Sequence, residues 1–131
     1  MTTPVKLVRK FYAALSTGDI PTILAVLDPD LEWTEAERFP YYGGTGHSPQ
    51  AVIDNLLLPL GRDWENFSAK VGDFIAQDNR VVAFGTYSGT YKQTGHSMSS
   101  PFAHLWTARD GRLSHFAQYA DTAKVLEALR P

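Results

Sequence analysis

Cysteine is absent from this sequence of 131 residues, so no disulfide can brace the fold, and the chain suits a reducing compartment. Long hydrophobic runs are also missing. No stretch approaches 18 apolar residues, and the opening MTTPVKLVRKF carries no apolar signal core. A soluble, cytoplasmic protein without a membrane partner is the expectation. Charge of one sign is scarce as well: the formal net charge is −2, and Lys6, Arg9, Arg38, Arg62, Arg80, Arg109 and Arg112 are scattered singly. That spacing offers no basic stripe for a phosphate backbone, which excludes nucleic acid as an expected partner. His47, His96, His104 and His115 show no short metal-ligand spacing, and no helix carries a paired histidine motif. There is no nucleophile elbow and no nucleotide-binding fingerprint. The run Gly43–His47 lacks the preceding strand of a phosphate cradle and reads as a flexible lip. No cofactor and no metal are expected.

Aromatic residues, by contrast, are plentiful: seven Phe, six Tyr and three Trp. A chain of this length buries roughly two-thirds of its unfolded surface. Such side chains can fill that core or line a cavity within it. No repeat, linker or low-complexity tract divides the sequence, so residues 1–131 are expected to form one domain.

Helix signals come first. Thr3-Pro4 is a cap followed by a first-turn proline, and Val5, Val8, Tyr12 and Leu15 follow at helical spacing up to Gly18. Asp19 can cap a short second helix that stops at Asp28-Pro29. A short strand is expected over Leu31–Thr34, then a loop from Glu35 to His47, then a helix from Ser48-Pro49 that ends near Pro59 and Gly61. From Phe67 onward the pattern changes to strands, Phe67–Gln77, Arg80–Tyr91, Met98–Ala108 and Leu113–Ala120, separated by turn chemistry such as Asp78-Asn79 and Asp110-Gly111. Gly72, Gly85 and Gly89 are placed to relieve the bending of such long strands. Asp121 can cap a closing helix. Helices, then a four-stranded antiparallel meander, then a helix describe an α+β fold.

The segments VRKFYAALSTGDIPTILAVLDPDLEW, YYGGTGH and PFAHLWTARDGRLSHFAQYADTAKV resemble SnoaL-like and ketosteroid-isomerase-like proteins of the nuclear transport factor 2-like superfamily. The resemblance covers nearly the whole chain. It implies a cone-shaped, curved antiparallel sheet packed against N-terminal helices, a cystatin-like roll enclosing an apolar pocket. It also implies a homodimer. It does not fix a reaction, because isomerases, polyketide cyclases, dehydratases, epoxide hydrolases and simple binders share the fold.

Carried over by position, the resemblance places Glu35 as general base, Phe11 where steroid isomerases hold an oxyanion-donor tyrosine, and Ala103 where they hold a donor aspartic acid. Each such donor is worth on the order of 3–4 kcal/mol in a transition state, so steroid isomerisation itself is not expected. Asp121 matches the acid–base aspartate of SnoaL-type cyclases, although helix capping alone accounts for an aspartate there. Tyr12 is the remaining candidate acid. Trp33, Tyr42, Trp64, Tyr87, Phe116 and Gln118 are expected with Phe11 and Ala103 on the pocket wall. If Ala103 faces the pocket, then alternation sends His104 and Trp106 to the outer, dimer-forming side of the sheet. The functional expectation is a small apolar-ligand-binding protein that performs cofactor-free acid–base chemistry on a small carbonyl compound. Its competitor is a non-catalytic ligand-binding or dimerisation module.

Overall fold

The computed structural model describes residues 3–43 and 45–131. Helix α1 (Pro4–Thr17) starts where Thr3 accepts a hydrogen bond from the Lys6 amide. It buries Leu7, Val8, Phe11 and Ala14 on one face and ends at Gly18, whose φ of 69° is the left-handed conformation of a helix stop. Helix α2 (Ile20–Val26) is capped by Asp19 through the Thr22 amide at 3.2 Å and the Thr22 hydroxyl at 2.6 Å. Strand β1 (Leu27–Thr34) follows directly, running through Asp28-Pro29 and so beginning earlier than the sequence pattern predicts.

Thr45–Gly46 forms β2, antiparallel to Trp33–Thr34. These two residues of the glycine-rich run are therefore tied to the sheet, a correction to the expected free lip. A bent helix comes next: α3 (Pro49–Val52), a wider π turn over Ile53–Leu57, and α4 (Leu58–Asp63). The bend has an identifiable cause. Pro59 has no N–H to give the preceding turn, and just before it the Leu58 amide reaches back five residues to the Ile53 carbonyl. The helix thereby continues past Pro59, beyond its expected end, and brings Leu56, Leu57 and Leu60 over the sheet.

Strands β3 (Trp64–Gln77), β4 (Arg80–Tyr91), β5 (Ser97–Arg109) and β6 (Arg112–Ala120) form the antiparallel meander, and α5 (Thr122–Ala128) closes the chain. The sheet order is β2-β1-β6-β5-β4-β3, with β1 parallel to β6. Two bulges in β3, between Glu65 and Ser68 and between Val71 and Asp73, bend the sheet around α1 and the bent helix. No described helix is long and apolar enough to cross a membrane.

The inner face of the curved sheet is set by register. Val81, Ala83 and Tyr87 on β4, Phe102, His104 and Trp106 on β5, and Phe116 and Gln118 on β6 are all buried. Ala103, Leu105 and Thr107 alternate to the outside. The expected parity of β5 is thus inverted: His104 and Trp106 lie inside the cone and Ala103 lies outside it. Beside the second bulge, β4 leaves no room for a side chain at Gly85. A Cβ built on Gly85 would stand 2.4 Å from the Lys70 carbonyl oxygen and 2.5 Å from the Phe102 ring. Gly85→Ala should therefore cost about 2–3 kcal/mol or more through forced displacement of backbone and ring. Urea denaturation of the variant measures it; an unchanged midpoint would show that the bend does not need glycine there.

Candidate functional site

Between the sheet, α1 and the bent helix lies a cavity of about 580 Å³. Its wall divides by origin. The bent helix supplies the aliphatic Leu56, Leu57 and Leu60, while α1, the sheet and the loop after β1 supply Phe11, Tyr12, Trp33, Phe39, Trp64, Phe67, Tyr87 and Phe116. Trp33 stacks on Phe116, with ring centroids 3.8 Å apart and planes 7° from parallel, which follows from their direct pairing across β1 and β6. Polar groups are few: Glu35, His104, Gln118 and the two phenols inside, with Ser16, Asn66, Ser68 and Lys70 also on the wall. This is the composition of a small-molecule site.

Glu35 follows β1 and is only 9% exposed. Its Oε2 has no hydrogen-bond partner among the described residues. Burial without a compensating cation disfavours the charged form and pushes the carboxyl up to about 7 from its usual 4.5. Such a group exchanges protons near neutral pH. Its backbone is held by its neighbour, because the Ala36 amide donates to Gln118 Oε1 at 3.0 Å.

That bond fixes the orientation of the Gln118 amide, whose Nε2 donates to the Tyr87 hydroxyl at 2.9 Å. Tyr87 in turn bonds His104 Nε2, and Tyr12 bonds His104 Nδ1. The Trp106 indole donates to the Tyr12 hydroxyl at 3.0 Å. His104 is 4% exposed, and its desolvation lowers its pKa to about 3, so the ring is neutral across the physiological range. Burial raises the pKa of both phenols, which keeps them protonated.

Hydrogen counting gives this chain a definite property. A neutral imidazole carries one N–H and one lone pair. One phenol must therefore donate to the ring while the other accepts from it. Each phenol oxygen already accepts from a fixed N–H, Trp106 on one side and Gln118 on the other. In either tautomer one phenolic hydrogen is left over, at the cavity wall.

Of the residues singled out from the sequence, Glu35, Tyr12, Phe11, Trp33, Trp64, Tyr87, Phe116 and Gln118 line the cavity. Three do not, and each has a physical reason. Ala103 points outward by the alternation of β5. Tyr42 is 43% exposed on the loop beyond Phe39, the aromatic that turns in instead. Asp121 is the N-cap of α5, accepting from the Lys124 amide, while its carbonyl accepts from Ser100. His115, on the strand next to that of His104, lies outside, 3.3 Å from Glu32. His104 was the residue missed. Its signal was present in the sequence, between Phe102 and Trp106 on one face of a strand, where large aromatics belong to the core.

Residues 8–116 match the SnoaL-like domain family. An NTF2-like protein from Burkholderia thailandensis E264 is 35% identical, with 100% of both chains covered and a TM-score of 0.96. An NTF2-like protein of unknown function from Burkholderia pseudomallei K96243 is 30% identical over 100% of both chains, with a TM-score of 0.89. TerC, co-crystallized with polyporic acid, is 28% identical over 98% of each chain, with a TM-score of 0.85. No curated protein matches the sequence. A curved sheet closed by helices over an aromatic cavity, together with these matches, places the chain in the SnoaL-like family of NTF2-like proteins.

Proposed function

We propose that the cavity is the site of cofactor-independent acid–base catalysis on a small carbonyl compound. Glu35 acts as the base that removes a proton beside the carbonyl, and the spare phenolic hydrogen of Tyr12 or Tyr87 donates to the carbonyl oxygen. The buried Glu35 Oε2, which has no hydrogen-bond partner among the described residues, carries this reading: buried polar atoms with a purely structural role are as a rule paired. Its position beside Tyr87, on which its charge acts, sets a base and an oxygen donor in one apolar space. The relative co-crystallized with polyporic acid supports a small organic ligand in this fold.

Deuterium exchange beside the carbonyl of a β-dicarbonyl probe such as benzoylacetone tests the reaction. Glu35→Gln should slow it by about a hundredfold or more. Exchange that is equal in the variant would remove Glu35 as base. A probe that raises the melting temperature but undergoes no exchange would favour the binding-module reading.

The same substitution should act oppositely on stability. The folded-state pKa of Glu35 is raised above its unfolded value, so the contribution of the neutral carboxyl is full below about 4.5 and is lost as pH rises through about 7. Glu35→Gln should therefore stabilise the protein at pH 8 by on the order of 1–3 kcal/mol, and much less at pH 4. Chemical denaturation at the two pH values reads the difference; equal effects would mean the carboxyl is not desolvated. His104, with its pKa lowered, works the other way: its contribution is full above about 6.5 and falls as pH drops toward 3.

We further propose that the outer sheet face, not one bearing His104 and Trp106, carries the homodimer contact. Phe84, Ala103 and Tyr119 form one cross-strand row there, and Ile75, Val82, Leu105 and Ala117 form the next. Tyr119 is 60% exposed. An apolar face of this kind can pair with its own copy about a two-fold axis. Sedimentation at micromolar concentration should give a dimer for the native chain and a monomer for Phe84→Glu combined with Tyr119→Glu. A native monomer would overturn the proposal.

A further inference from the structure

We propose that Tyr12, His104 and Tyr87 form a charge-neutral proton relay that carries one hydrogen across the cavity wall, from a ligand atom beside Tyr12 to one beside Tyr87, or back. The relay rests on the reading of the cavity as an acid–base site, and it adds an activity that Glu35 alone does not supply.

The geometry for it is complete. His104 lies on the inner face of β5, and both of its ring nitrogens are bonded to phenols that belong to cavity-lining residues on different elements, Tyr12 on α1 and Tyr87 on β4. Among the described residues neither nitrogen has another hydrogen-bond partner. Outside the pair, Trp106 and Gln118 only donate, so they hold the phenol oxygens without competing for the phenolic hydrogens. The two directions of the chain are therefore alike in kind, which a histidine anchored by a carboxylate or a carbonyl would not allow.

The transfer balances. With the ring hydrogen on Nε2, Tyr12 donates to Nδ1 and the hydrogen of Tyr87 is free. Tyr87 gives that hydrogen to a ligand atom and takes the one on Nε2. Nδ1 takes the hydrogen of Tyr12, and Tyr12 takes one from a second ligand atom. Three O–H and N–H bonds exist before and after, none of the three side chains becomes charged, and the ligand has lost one hydrogen and gained another. After product leaves, the reverse exchange with water through the two phenols restores the first state.

A relay of this kind suits a ligand that must shed a hydrogen at one atom and accept one at another while staying neutral. Enolisable compounds bearing a hydroxyl and a carbonyl in conjugation are that class. A simple hydrocarbon or a lone ketone has no use for the second end.

Nuclear magnetic resonance of protein labelled with 15N-histidine tests the relay without any ligand. In the native protein both ring nitrogens of His104 should share the hydrogen, giving shifts between those of a protonated and a bare nitrogen. Tyr87→Phe leaves only the Tyr12 hydrogen to donate, which should place the ring hydrogen on Nε2; Tyr12→Phe should place it on Nδ1. A native ring locked in one tautomer, or the same tautomer in both variants, would overturn the relay. A histidine whose tautomer is fixed by groups other than the two phenols would not change tautomer with a phenol removed. The result is also independent of Glu35, because carbon-acid exchange that survives Glu35→Gln would remove the base and leave the ring-nitrogen signals untouched.

Discussion

Burial of a neutral imidazole between two phenols is the constraint around which this protein is arranged. His104 is almost wholly shielded from solvent and faces no counter-charge among the described residues, so its two ring nitrogens are satisfied by side chains that reach it from opposite directions. That requirement ties α1 to β4 through β5. It explains why Trp106 and Gln118 are placed to finish the bonding of the phenols, and why the Ala36 amide finishes the bonding of Gln118. The chain of bonds runs from the first helix to the residue after Glu35. A buried polar network is stable only when every member is satisfied, and here the sole surplus is one hydrogen on one phenol.

Glu35 occupies the opposite condition in the same space. Its Oε2 is buried without a partner among the described residues, so the protein bears a desolvation cost at that point whenever the carboxyl ionises. Two groups that line one cavity are thus pushed in contrary directions by the same cause. Burial makes the acid harder to ionise and the imidazole harder to protonate, which keeps both uncharged over an overlapping range of pH.

Much of the fold was legible because its signals are local. Thr3-Pro4, Asp19, Ser48-Pro49 and Asp121 each supply a helix cap that operates over three residues, and all four cap helices. The four long strands and their turns were equally readable from alternation. The pairing of β1 with β6 was not, since a parallel contact leaves no turn in the sequence. The site depended on something finer, the absolute parity of β5. Sliding a strand by one residue exchanges its faces, and a positional match that placed Ala103 inside carried His104 out with it. Phe102 and Trp106 argue for the correct face on size alone. Tyr42 failed for a different reason: in a loop there is no period, and whether Phe39 or Tyr42 turns inward is decided by packing.

The bent helix has a consequence of another sort. Its π turn and Pro59 carry Leu56, Leu57 and Leu60 to the cavity, and none of the three takes part in the hydrogen-bonded chain. Shape and chemistry are therefore written on separate segments. Exchanging one aliphatic side chain for another on the helix alters the outline of the space while every proton-bearing group on α1 and the sheet keeps its partners. The outline of the space can thus be changed in small steps on one segment without disturbing a single hydrogen bond on the others.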